Sequence, residues 1–339
     1  MSGSLHDKTL EHFSAVEAHI VEALESLDPH GPKFVKKTTP PGEDVQMTTH
    51  HLRRTENRTV ADPPFAPIEN AAVTLVSSIH ATPEGLPSDL GTFSALPPGK
   101  VFRTIHLSVT VHPRSPHAPA VQGSWTYYQT YANTARTDVA PDDWWFAGSS
   151  NLIPTYIKDE DTEDWHKLHK DAVSAHGEHV YKPLKEQADK RFHHSNRKES
   201  HGVGGIHFDQ LSDKPHEKVD IHGHATKRPK SGDDIFALVA STIQAFIDGY
   251  IPILKRRAFQ SWTPEERTWQ LIQRGKFVEY FFLHEPDLKT NLAVGGEHTA
   301  AILAVLPETV QWVGATPDLH PESAEAKHLK ALQAPKTSA

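Results

Sequence analysis

Histidine dominates the residues of this chain that could carry chemistry. There are 25 histidines among 339 residues and no cysteine, so thiolate ligands, cysteine nucleophiles and disulfides are excluded. Imidazole titrates nearest neutral pH, and it serves both as proton carrier and as metal ligand. Most of the histidines are expected to be solvated or held by ordinary hydrogen bonds. His112 is set apart because it ends a β-branched run and precedes Pro113. His166 follows Trp165 in a helical stretch, and His169 lies one turn further on. His117, His193, His194 and His201 are further candidates, the last beside Gly202-Val203-Gly204-Gly205. Proton transfer is the first chemistry these residues suggest. Metal binding by His112, His166 and His169 is the second, though no HExxH or two-histidine-one-carboxylate spacing is present. No GxGxxG or GK[ST] accompanies the glycines, so a tight turn is expected there in place of a phosphate cradle.

The elements that must position these residues can be read from periodicity. Leu10, Phe13, Val16, Ile20, Val21, Leu24 and Leu27 form one helical stripe, predicting an amphipathic helix over 5–27. Residues 31–68 read as mostly irregular, with one edge strand around Val45–Leu52. Strands are expected over 71–79, Val101–Val111, Gly123–Tyr131 and Trp144–Phe146, the middle two joined by a proline-stiffened loop. Helices are expected over 159–175, 178–196 and 233–257, and from Pro264 to about Arg274. Phe277–Leu283 reads as a buried strand and 298–306 as a short helix. Residues 212–232, with His216, His222 and His224, read as an exposed insertion, and 315–339 as a loosely held tail. With no repeat and no linker, a single domain over 1–339 is expected, its core spanning about 65–313.

Composition narrows the function classes. A net charge of -8 argues against a protein that tracks nucleic-acid phosphates. No apolar run approaches a membrane span in this reading. Met1–Thr9 lack the basic-then-apolar pattern of a secretory signal, and Asp7 and Glu11 disfavour a transit peptide, so a cytoplasmic location is expected.

Five segments carry a family resemblance. They are Val109–Pro119, Trp144–Tyr156 (Trp-Trp-Phe at its start), Trp165-His166, Gly202–Leu211, and Arg274–Tyr280 followed by Gly295-Gly296. In order and spacing they resemble the oxygen-dependent coproporphyrinogen III oxidase family, from about Phe65 to Trp312. The resemblance implies an α+β fold: a broad, flat antiparallel sheet sandwiched between helical layers, in a homodimer. It implies dioxygen as co-substrate and no required cofactor; a transition metal held by histidines is the alternative.

The positions matching the family's site divide sharply. Ser108, His112 and His166 are as the family has them. Gln122 stands at the proton-donor histidine, and Ser124 and Thr126 at substrate-holding Asn and Arg positions. Asn151 stands at the aspartate of the Trp-Trp-Phe motif, Asn196 at a third histidine, and His201 at an arginine. Gly295-Gly296-Glu297 replaces a Gly-Gly-Arg that grips a propionate. Arginine binds carboxylates with a permanently charged fork, so these changes suit a less acidic ligand than a tetracarboxylic porphyrinogen. The resemblance therefore makes His112 and His166 the candidate catalytic pair, expected to face one cavity. It makes Ser108, Gln122, Ser124, Asn151, Asn196, His201, Gly295 and Gly296 candidate ligand contacts, with Trp145 in the pocket wall. The expected activity is a dioxygen-using oxidase or oxygenase of specialised metabolism, acting on an electron-rich enol, phenol or pyrrole. A catalytically silent binding relative and ordinary coproporphyrinogen oxidation are the alternatives.

Overall fold

Ser4 opens the first helix through a capping box. Its hydroxyl accepts the Asp7 N–H while the Asp7 carboxylate accepts the Ser4 N–H. The resulting helix α1 spans Leu5–Glu25 and buries Phe13, Val16, Ile20 and Leu24. In the computed structural model the described residues are 4–39, 44–53, 66–81, 99–132, 139–220, 228–284, 303–314 and 317–334.

Seven strands form one antiparallel sheet. In chain order they are β1 (Val35–Thr38), β2 (Val45–Arg53), β3 (Ile68–Ala81), β4 (Val101–Pro113), β5 (Ala120–Tyr131), β6 (Asp143–Ile153) and, later, β9 (His207–Leu211), and they neighbour one another in that order. The short strands β7 (His193–His194) and β8 (Glu199–Ser200) make a separate hairpin. β1 falls in the stretch expected to be irregular; it is a fully exposed edge strand with no alternating pattern to betray it. The five longest strands each outrun or match their sequence-based bounds, so the sheet is the best-read part of the fold.

Alternation along β4 sets the character of the two faces. Ile105, Leu107, Val109 and Val111 are buried on one side; Thr104, His106, Ser108, Thr110 and His112 point to the other. The register extends this division across the sheet. Thr74, Ser108, Ser124 and Ser149 lie in one cross-strand row, and Thr110, Gln122 and Asn151 in the next.

The apolar face is covered by α1 and by α4 (Gly232–Arg257), with α2 (Asp159–Ser174) packed on α4. Trp125 projects from β5 onto α4, edge-on to Phe246 at 5.3 Å, and its Nε1–H donates to Thr242 Oγ1 at 3.1 Å. Each such large buried side chain contributes roughly 2–3 kcal/mol of hydrophobic stabilisation. Contrary to the sequence reading, α4 is long and apolar enough to cross a membrane by length and composition, but its apolar side is the core contact just described. Charges join α2 to α4: Asp161 accepts from Arg257 Nε at 2.9 Å.

Three further expectations are corrected. Phe277–Leu283 is helical: α5 runs unbroken from Pro264 to His284. A short apolar run fits either a buried strand or a buried helix, and packing on the end of the sheet decides for the helix. The described parts of 212–232 are tied down. Arg228 pairs with Asp220 at 2.6 Å and donates to Ser212 O, and His216 is buried with both ring nitrogens bonded. His222 and His224 lie outside the described residues. The tail holds a docked helix, α6 (Ala324–Gln333), capped by Ser323 and fastened by Tyr156 Oη donating to Glu325 at 2.6 Å. The expected helix 178–196 ends early, as α3 (Tyr181–Arg191), because the β7–β8 hairpin turns back through Lys198 at φ 52°. Most of 298–306 lies outside the described residues.

Candidate active site

A cleft opens where the ends of β4, β5 and β6 meet α5, the β7–β8 hairpin and the last turn of α6. His112, Ile153, His194, Glu199, His201, Gly202, Gln270, Arg274, Lys276, Phe277 and Leu332 are among its lining residues. α5 is held over the strand ends by Pro113 O, which accepts from Gln270 Nε2 at 3.1 Å and from Arg274 at 2.8 Å.

His112 is 1% exposed and packs edge-on to Phe277 at 4.9 Å. Its Nε2 lies 3.0 Å from Val305 O, an acceptor only, so Nε2 carries the proton and Nδ1 the lone pair. Nδ1 is buried and has no partner among the described residues. Burial, and then the Arg274 guanidinium, push the His112 pKa down to about 3, so the ring is neutral at physiological pH.

The charged groups around the cleft are committed to one another. Arg274 meets Glu69 at 3.0 Å, and Arg267 meets the same carboxylate at 2.8 Å. Burial alone would raise the Glu69 pKa; Arg274, Arg267 and Arg114 outweigh it and hold it down to about 2. Arg274, Arg267 and Arg114 thus all bear on the Glu69 carboxylate. Lys276 is bound by both oxygens of Glu199, at 2.8 and 3.1 Å, with each side chain only 6% exposed.

A second imidazole, His201, stacks flat on Tyr280 with ring centroids 4.2 Å apart and planes 8° apart. Its Nε2 is likewise buried without a partner among the described residues. Burial, helped by the neighbouring His194, His284 and His112, lowers its pKa to about 3. His194 is 2% exposed, has its Nε2 3.4 Å from Glu279 and keeps a buried, unpartnered Nδ1.

Not every residue singled out in the sequence reaches this cleft. His166 is not among its lining residues: its Nε2–H donates to Val203 O at 3.1 Å, so it holds the 202–205 turn from outside. The expectation that His112 and His166 face one cavity is therefore corrected. His169 is fully buried on the other side of β6, donating from Nδ1 to Trp165 O and accepting at Nε2 from Ser150 Oγ, each at 2.9 Å. With both its nitrogens used and His166 turned to a carbonyl, His112, His166 and His169 do not form a metal site. Among the described residues no cluster of His, Asp or Glu is spaced to hold one.

Asn151 acts on the backbone: its amide donates to His201 O and its oxygen accepts the Gly204 N–H at 2.9 Å. A β-carbon at Gly202, whose φ is 88°, would run into Leu152 O and the Asn151 side chain. Asn196 is exposed on the hairpin turn. Trp145 stacks on Tyr128 at 5.0 Å, and neither it nor Trp144 lines the cleft. Ser108, Gln122 and Ser124 share the polar sheet face next to the cleft, with Ser124 Oγ 3.0 Å from Ser149 Oγ. Gly295 and Gly296 lie outside the described residues.

Sequence reasoning missed Glu199, Gln270, Lys276, Leu332 and the place of Arg274 in the cleft. One signal was available. Continuing the Pro264 helix through Phe277 puts Gln270, Gln273, Arg274 and Phe277 on one face, with polar groups where a core helix would be apolar.

A sequence profile described as coproporphyrinogen III oxidase matches residues 8–338. The mitochondrial oxygen-dependent coproporphyrinogen-III oxidase of Homo sapiens is 31% identical over 232 residues, covering 68% of this chain and 46% of the relative. The Mus musculus protein of the same name is 31% identical over 237 residues, covering 69% of this chain and 48% of the relative. This chain thus spans about half the length of the curated relatives it matches. The profile match over nearly every residue, on a seven-stranded antiparallel sheet of the expected layering, places the chain in the coproporphyrinogen III oxidase family.

Proposed function

We propose that this chain is a dioxygen-using oxidase of an electron-rich small molecule of the enol, phenol or pyrrole type, working in specialised metabolism. The substrate gives up two electrons and two protons, and dioxygen takes both pairs to leave as hydrogen peroxide. The observation that carries the reading is His112, a neutral imidazole whose lone-pair nitrogen is buried in the cleft without a partner among the described residues. It is the group available to take the first proton. Its low pKa keeps the ring neutral and its lone pair available. A substrate hydroxyl facing Nδ1 is placed to pass that proton on as dioxygen takes the electrons. Dioxygen is the only co-substrate this scheme needs, in keeping with relatives named as oxygen-dependent oxidases.

Coproporphyrinogen oxidation is a second reading, favoured by the names of those relatives. It is disfavoured by the commitment of Arg274 and Lys276 to Glu69 and Glu199. Oxygen-electrode assays of purified protein against enols, phenols, pyrroles and coproporphyrinogen, with peroxide measured in parallel, test the two. Peroxide formed in step with uptake from a small phenol or enol supports the first reading. Uptake confined to coproporphyrinogen establishes the second.

A further inference from the structure

We propose that His201 is the specificity-determining residue of the cleft, and that it selects an uncharged, flat ring bearing a hydroxyl or keto group over a carboxylate. This rests on the cleft being the substrate site and deepens that reading by fixing the ligand's charge class. His201 is 7% exposed, lines the cleft and is locked in orientation by its flat stack on Tyr280. Its ring lies 5.3 Å from that of Phe277, which also packs against His112, so the cleft offers aromatic surface beside two imidazoles. His201 Nε2 and His112 Nδ1 are buried polar atoms that no group among the described residues satisfies.

Buried polar atoms left unpaired are costly, and a ligand hydroxyl or carbonyl would satisfy them. The cationic heads that would otherwise recruit a carboxylate are occupied: Lys276 by both Glu199 oxygens, Arg274 by Glu69 and Pro113 O. A ligand carboxylate would have to displace Glu199 or sit beside it uncompensated. A neutral hydroxyl meets no such repulsion, and a flat ring can extend the aromatic surface of Phe277 and Tyr280.

The test uses matched probes, 2-naphthol and 2-naphthoate, which share a hydrocarbon and differ in the polar group. Their dissociation constants are measured by calorimetry at pH 7 without dioxygen, on the full chain. Wild type is expected to bind 2-naphthol about tenfold tighter or better, as a site built for a hydroxyl discriminates. His201→Gln, neutral and hydrogen-bonding, should keep that preference; His201→Ala should lose about fivefold in naphthol affinity with naphthoate unchanged. His201→Arg should reverse the preference, and should it fail to fold, the Gln and Ala variants still decide. Equal or tighter binding of 2-naphthoate by wild type overturns the proposal, as does an unchanged naphthol affinity in His201→Ala. Because no turnover is involved, a clear naphthol preference stands even where no phenol is ever oxidised. A naphthoate preference sinks this inference and leaves the oxidase reading to its own assay.

Discussion

At the scale of single residues, the same imidazole chemistry has three different outcomes in this chain. His169 has both nitrogens satisfied, His166 fastens a turn, and His112 keeps a buried lone pair in the cleft. Sequence motifs ranked His112 and His166 together, because type and spacing do not reveal which carbonyl a ring will find. His112→Gln should lower turnover by about 100-fold, the usual worth of a positioned base, with the melting temperature little changed. His166→Gln should act mainly on the 202–205 turn, lowering stability by about 1 kcal/mol, the typical value of one hydrogen bond. Denaturation and steady-state kinetics on the two variants separate these roles. A pH series is equally direct. His112 and His201 are held down to about 3 in the fold, against 6.5 when unfolded. Between those values the unfolded chain binds protons that the folded chain does not. Stability from these two groups is therefore full above pH 6.5 and is lost as pH falls toward 3. Chemical denaturation between pH 7 and 4 should show the decline, with a smaller slope in His201→Gln.

At the scale of elements, alternation on the strands was legible because one sheet face packs on α1 and α4 while the other carries hydroxyls. The register then sets Ser108 against Ser124, a pairing that alternation alone does not specify. The identity of α5 was not legible. Its aromatic run Phe277–Leu283 satisfies a strand's preferences as well as a helix's, and only its seat on Pro113 and the β7–β8 hairpin settles it. The ion pairs went unseen for a related reason: Lys276 and Glu199 are 77 residues apart and meet only through the fold. Removing one partner strands a buried charge. Glu199→Gln or Lys276→Met alone should each cost about 3–5 kcal/mol, and the double variant clearly less than their sum. A double-mutant cycle by urea denaturation measures this. On α1, Glu17 is 6% exposed and its pKa is raised by burial to about 7. Folded protein holds that proton between 4.5 and 7 while the unfolded chain releases it, so stability falls as pH rises through this window. Glu17→Gln should therefore raise the melting temperature by roughly 2–4 °C at pH 8 and by less at pH 5.

At the scale of the whole molecule, the sheet divides the labour. Its apolar face, under α1 and α4, holds the fold; its polar face and the strand ends under α5 and α6 form the site. The C-terminal helix belongs to that site through Leu332, although its polar composition reads as a loose tail. We also propose that the chain is a homodimer, as the family resemblance implies. Sedimentation at micromolar concentration should give twice the monomer mass of 37.7 kDa, and a monomer there would count against it. We propose that this scaffold combines a base and dioxygen chemistry with charges bound to one another and not offered to a tetracarboxylic substrate. Release of carbon dioxide from coproporphyrinogen III by the purified wild-type chain, with His112→Gln as the blank, tests it most directly. The account predicts release no greater than that of the His112→Gln blank. Sustained release, abolished by His112→Gln, would contradict it and make this protein a coproporphyrinogen oxidase in activity as well as in fold.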